Sequence, residues 1–145
     1  MLTISTKGRY SLRILILMAS QPRGHMFAKW EIAEGEVLSC AYVQQLMASL
    51  KTCGLVNSHR GKVGGFTLGR APEDITVAEV LRATEGPAAF APCLGGDICE
   101  HELTCRARPM WAEAQALFDD FFSGITIADL VAGRAAGTLG ETDLV

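Results

Sequence analysis

The chain has little that would carry it into or across a membrane: its most apolar stretch, Ile14 to Ala19, is far shorter than the roughly 20 residues a helical span needs. No small-residue cleavage site follows that stretch, so an export signal is not expected and the expected location is the cytoplasm. Low-complexity tracts and internal repeats are missing too, and with 49% hydrophobic and 20% charged residues the balance is that of a folded chain. The glycine-rich stretch Gly61 to Gly65 is followed by no Lys-Ser or Lys-Thr pair, which excludes a phosphate-cradling nucleotide loop. Ser39 and the three histidines lack the setting of a catalytic triad, and no carboxylate pair is distinctively placed. An enzyme is therefore not expected.

What is present is sharply divided. The 145 residues carry a net charge of -3, which by itself argues against a polyanionic partner. Residues 1–70, however, hold nine Lys and Arg against three Glu, a net of +6, which leaves -9 for the remaining 75. A basic half facing a polyanion, joined to an acidic half with another task, fits this split.

Periodicity places a first helix over Thr6 to Ser20, with Tyr10, Ile14, Leu17 and Met18 on one face and Gln21 to Gly24 as its stop. A short second helix over Lys29 to Glu34 is expected to end at Gly35, and Ser39 is a good N-cap for a third. In that third helix Tyr42, Val43, Leu46, Met47 and Leu50 form the apolar stripe, leaving Ala41, Gln44, Gln45, Ala48 and Lys51 outside. Two strands, Leu55 to Ser58 and Phe66 to Leu68, flank a basic tip with Arg60, Lys62 and Gly64. Thr76 and Glu79 form a capping box for a helix over Val77 to Thr84, stopped by Gly86 and Pro87. After Pro109 a stripe of Met110, Ala114, Leu117, Phe118 and Phe121 predicts a long helix ended by Gly124. Thr126 and Asp129 cap a last short one before a Gly-rich tail.

Helix, tight turn, helix and basic hairpin in that order is the pattern of a winged helix-turn-helix that reads double-stranded DNA. Gln44 and Gln45 are suited to bidentate pairing with adenine in the major groove. Backbone amides near Ser39 suit a phosphate at the helix N-terminus. The hairpin tip suits phosphates or a narrow minor groove.

Five cysteines without an export signal do not suggest a disulfide framework. Cys93, Cys99 and Cys105 lie in the loop Gly86 to Arg106, longer than compact domains tolerate without a function or an internal constraint. Their spacing favours an iron-sulfur cluster over zinc, whose cysteine pairs usually stand closer. [2Fe-2S] and [4Fe-4S] both remain open. Ordinary reduced thiols and a Cys99–Cys105 disulfide under oxidation are the alternatives. A fourth ligand could come from His101, Glu100, Glu102 or Asp97, or from His25 or His59 elsewhere, with His101 the candidate named. Cys40 and Cys53, at the ends of the third helix, read as small packing residues.

Thr6-Lys-Gly-Arg-Tyr10, Tyr42-Val-Gln-Gln-Leu46, Gly61-Lys-Val-Gly-Gly-Phe66 and the three cysteines together resemble the Rrf2 family of bacterial regulators, above all its branch that controls iron-sulfur cluster assembly. The resemblance covers about Leu2 to Val131. It implies a mainly α fold with a small β-hairpin wing, a third helix in the major groove, and a long C-terminal helix that pairs two copies into a homodimer on a two-fold symmetric operator. It also implies a DNA-binding unit over 1–85, a cluster-binding loop over 86–106 and a dimerisation helix with tail over 107–145, within one compact domain. DNA-facing positions would be Ser39, Ala41, Tyr42, Gln44, Gln45, Lys51, Arg60, Lys62 and Gly64, and cluster ligands Cys93, Cys99 and Cys105. Three departures stand out: Arg108 replaces the branch's histidine ligand, Gln44 replaces a recognition-helix glutamate, and Arg9 occupies a position that is acidic in some members. The function implied is regulation of transcription in response to iron-sulfur, redox or nitric oxide status. A cluster-free thiol or metabolite sensor of the same fold is the alternative, and a small iron-sulfur electron carrier with an acidic docking half is a further one.

Overall fold

The computed structural model describes residues 3–62, 64–86 and 89–134, so the Gly-rich tail and Pro87 lie outside the described residues. Six helices and one hairpin follow in order: α1 (Thr6–Ala19), α2 (Lys29–Glu36), α3 (Cys40–Thr52), β1 (Val56–His59), β2 (Gly65–Leu68), α4 (Val77–Glu85), α5 (Arg108–Ser123) and α6 (Ile127–Val131). The architecture is the expected one, mainly helical with a two-stranded wing.

Local chemistry explains most boundaries. Ser5 and Ser39 cap α1 and α3 by accepting from the backbone N–H groups of Gly8 and Tyr42. Thr76 with Glu79, and Thr126 with Asp129, form full capping boxes at α4 and α6. Burial works against the charge of Glu79, but the Thr76 backbone N–H and the Arg70 guanidinium outweigh it and hold the carboxyl below the ordinary carboxylate range. Asp129 is held low chiefly by the Thr126 backbone N–H.

The helix-turn-helix differs from expectation at its turn. Gly35 does not end α2: the helix runs on to Glu36, and a Cβ at Gly35 would stand 3.0 Å from Leu17 Cδ2, so this glycine serves the close approach of α2 to α1. The stop falls instead on Val37, which holds φ 56° and ψ 51° while Leu38 N–H donates to Ala33 O at 2.8 Å. That is the six-to-one bond of a Schellman ending, where glycine is the usual residue. A β-branched side chain there costs of order 1 kcal/mol or more. Val37 is 89% exposed, so its side chain has little packing to lose. Val37→Gly is expected to stabilise the protein by about 1 kcal/mol, measured as a raised thermal midpoint; a lowered midpoint would mean that the turn is held by something other than this backbone state.

The core gathers Ile14, Leu15, Ile32, Val43, Leu46, Met47 and Leu50 from the first three helices, Leu55 just before β1 and Val56 within it, then Ile75, Val80 and Ile127. The strands pair antiparallel from Val56 opposite Leu68 to His59 opposite Gly65. Phe27, between α1 and α2, exchanges two 2.8 Å backbone bonds with Phe66, which pins the wing to the helices. At the other end the chain folds back: Val77 N–H donates to Ile125 O and Ile127 N–H to Ile75 O, both at 2.9 Å, which seats α6 beside α1 and the segment that leads into α4. Among the described residues no helix is long and apolar enough to cross a membrane.

Candidate nucleic-acid interface and cysteine loop

α3 divides its faces as the spacing predicts. Val43, Leu46, Met47 and Leu50 are buried, whereas Ala41, Gln44, Gln45, Ala48 and Lys51 are exposed. Ser39 is exposed, its Oγ accepting from Tyr42 N–H at 3.2 Å. Tyr42 is half-buried, its ring set edge-on to Tyr10 with centroids 6.2 Å apart, so most of its ring braces α3 against α1. At the far side of α2, Glu36 is nearly buried and accepts from Arg13 Nε at 2.6 Å, fixing the turn that aims α3.

The wing tip is a tight turn in which Gly64 N–H donates to Gly61 O at 3.1 Å, and a Cβ on Gly64 would lie 2.7 Å from His59 O. Only glycine fits this approach of backbone to backbone. His59 Nε2 and Thr67 Oγ1, 2.9 Å apart, brace the hairpin below it. Arg60 and Lys62 are exposed and make no ion pair among the described residues. Two unneutralised cations on a projecting tip suit phosphate contact. Replacing both with Ala is expected to reduce the slope of log affinity for duplex DNA against log salt by about 2 for each chain bound, read by fluorescence anisotropy across a salt series. An unchanged slope would place the wing away from the phosphates.

The cysteine loop runs from Gly86 to Arg106, with one short 3-10 turn over Pro92–Leu94. All five cysteines are free; Cys93, Cys99 and Cys105 are half-buried. Among the described residues no group of three or more His, Cys, Asp or Glu side chains is placed to hold one metal ion. The three thiols therefore do not converge on a single metal position in this arrangement. His101 is exposed and joins no such group; its carbonyl accepts from Thr104 N–H at 3.0 Å. Cys40 and Cys53, expected as packing residues, are both exposed, because the helix ends they occupy lie outside the core.

Arg108, where the resemblance places a histidine, turns back to the loop and pairs with Glu102 at 3.0 Å, between Cys99 and Cys105. Its Nε is buried without a hydrogen-bond partner. The loop is tied down once more, where Phe90 N–H donates to Gln115 Oε1 of α5 at 2.8 Å; just before the loop, Glu85 at the end of α4 accepts from Ser5 N–H and Oγ–H at 3.1 and 2.6 Å, which ties α4 to the start of α1. These partners lie 25 and 80 residues apart in sequence, and no local pattern announces them. α5 itself buries none of its residues; Met110, Leu117, Phe118 and Phe121 of the expected stripe are 43–64% exposed.

The description "Iron-dependent Transcriptional regulator", that of the Rrf2 family, matches residues 4–133. The chain is 30% identical over 128 residues to the HTH-type transcriptional regulator IscR of Erwinia tasmaniensis, covering 88% of this chain and 78% of that protein. It is 34% identical over 140 residues to the HTH-type transcriptional regulator CymR of Bacillus subtilis, covering 97% and 94%. The solved structure of that CymR, described as a global cysteine regulator, superposes with a TM-score of 0.76 over 91% of this chain and 98% of the other, at 33% identity. The IscR of T. potens superposes at 0.72 with 29% identity, covering 97% and 93%.

Proposed function

Since the chain belongs to the Rrf2 family of transcriptional regulators, we propose that it binds operator DNA as a homodimer through α3 and the wing, and that the loop carrying Cys93, Cys99 and Cys105 governs that binding. The observation that carries the DNA-reading part is the division of α3: its apolar side is sealed in the core while Gln44, Gln45 and Lys51 stand exposed on the same helix. Such a face reaches base edges, and the wing supplies the phosphate contacts that set register. The exposed apolar stripe of α5 supports pairing with a second copy, because a lone chain would leave Met110, Leu117, Phe118 and Phe121 in water.

The sensing role rests on three free thiols in one loop that leaves from the end of α4 and is bonded to α5; α4 in turn is bonded to the start of α1 through Glu85 and Ser5 and packs on α3, a route by which a change in the loop would reach it. On this reading the three thiolates carry an iron-sulfur cluster, and the loop closes around it from the arrangement seen here. Coupling to DNA then equals the difference in loop stability between the two DNA-binding states. Three free thiols that do not converge on one metal position support a second reading, a cluster-free regulator that uses the thiols themselves. An anaerobic optical spectrum with iron and sulfide analysis separates the two. The cluster reading expects visible absorption and acid-labile sulfide in the wild type, both lost in the Cys93→Ala, Cys99→Ala, Cys105→Ala triple variant. A colourless, iron-free wild type after reconstitution would replace it with the thiol reading.

A further inference from the structure

Ala41, Gln44, Gln45 and Ala48 recur at three- and four-residue steps along α3, so they share one side of the helix, and all four are exposed. What this side lacks is as informative. No Arg, Asp or Glu occurs anywhere from Cys40 to Thr52, and the single cation of the helix, Lys51, lies in its last turn.

Each base presents its own pattern in the major groove, and each pattern has a side chain that matches it. Guanine offers two acceptors, met by Arg or Lys. Cytosine offers an amine, met by Asp or Glu. Adenine offers an amine beside an acceptor, met at two points by the amide of Asn or Gln, and thymine offers a methyl group, met by a small apolar side chain such as Ala. The first two have no reader on the early turns of α3, the part of a recognition helix that meets base edges. The last two have two readers each. Hydroxyl groups do not alter the balance: Ser39 Oγ accepts from Tyr42 N–H at 3.2 Å, Thr52 Oγ1 donates to Ala48 O at 3.0 Å, and a serine such as Ser49 pairs with any base. A guanine in place of adenine would set its O6 acceptor against the amide oxygen and break the two-point match.

The alanines add a geometric condition. Positions 41 and 48 stand three or four residues from both amides, one turn before and one turn after. Side chains that end at Cβ let the helix lie close to the base edges, where methyl group can meet methyl group.

We propose that α3 reads a run of A·T pairs in each half of the operator, with Gln44 and Gln45 on adenines and Ala41 and Ala48 against thymine methyl groups. This rests on the DNA-reading role proposed for α3 and names the class of sequence that role selects. It does not depend on what the cysteine loop carries.

The test is selection of duplexes from a random pool by the full chain, both as purified anaerobically and after iron chelation, followed by anisotropy titration of the selected duplex. The positions read by α3 are those at which the Gln44→Ala, Gln45→Ala variant no longer selects a base. They are expected to be A·T, and one exchange to G·C there is expected to weaken binding about ten-fold. Two base analogues then separate contact from DNA shape. 7-Deazaadenine, which lacks the N7 acceptor, is expected to weaken the wild type about ten-fold and to leave the double variant unchanged. Uracil in place of thymine, which removes only the methyl group, is expected to weaken the wild type about three-fold. Gln44→Arg is expected to turn one selected position from A·T to G·C. Circular dichroism establishes that each variant is folded. Selection of G·C at the positions set by Gln44 and Gln45, or full affinity for either analogue, would overturn the proposal and leave α3 a DNA reader. A folded wild type that selects no sequence in either state would overturn the DNA-reading role, and the proposal with it.

Discussion

Replacing Gln44 and Gln45 together with alanine is expected to lower affinity for a duplex selected by the wild type about 100-fold, while binding to unrelated duplex changes by no more than about two-fold. Both side chains stand on the exposed face of α3 and carry none of the core packing, so the double variant should fold and keep its thermal midpoint. Each amide that pairs bidentately with a base edge contributes roughly 1–3 kcal/mol of discrimination, and its loss removes recognition and not charge. The contrast with the wing follows. Arg60 and Lys62 act on all duplexes alike and change the salt slope, whereas Gln44 and Gln45 act on one sequence and leave the slope alone. Selecting the duplex from a random pool and measuring both affinities by anisotropy decides it. Equal loss on selected and unrelated DNA would show that this face holds backbone and reads no bases.

Leu50→Ala is expected to cost about 3 kcal/mol and to lower the thermal midpoint by about 10 °C. Leu50 is fully buried on the inner face of α3, which packs against α1, α2, α4 and β1. Removing its branched end leaves a cavity that rigid neighbours on several elements cannot collapse into. Leu50→Met, which conserves volume, should cost less than about 1.5 kcal/mol. DNA affinity measured well below the lowered midpoint should change little, since the outer face of α3 is untouched. A shift of the alanine variant no larger than that of the methionine variant would mean that the recognition helix does not lean on this core.

These two outcomes concern opposite sides of one helix, and both sides were legible in the residues. Spacing at 43, 46, 47 and 50 names the inner face, and Gln44 and Gln45 fall outside by the same count. The caps were legible for a related reason: Ser39, Thr76 with Glu79 and Thr126 with Asp129 act within a single turn, so donor and acceptor are written three residues apart. Gly35 misled, because glycine both stops helices and lets them touch. Its neighbour Leu17, on another helix, decides which role applies.

The cysteine loop shows where such reading ends. Three thiols in one segment point to shared chemistry, yet convergence depends on how a 21-residue loop closes, and closure of that length is set by contacts outside it. Arg108 on Glu102 and Phe90 on Gln115 are such contacts, and in the arrangement described the thiols do not converge on one metal position.

By itself, then, the sequence determined the order of helices and wing, the inner and outer faces of α3, the basic character of residues 1–70 and the family. All of these depend on residue types repeated or paired within a few positions. Only the tertiary structure decided the extent of α2, the strained turn at Val37, the exposure of Cys40 and Cys53, and the return of Ile125 and Ile127 to the start of α4. These depend on which distant segments share one small core, and packing between distant segments leaves no period in the chain.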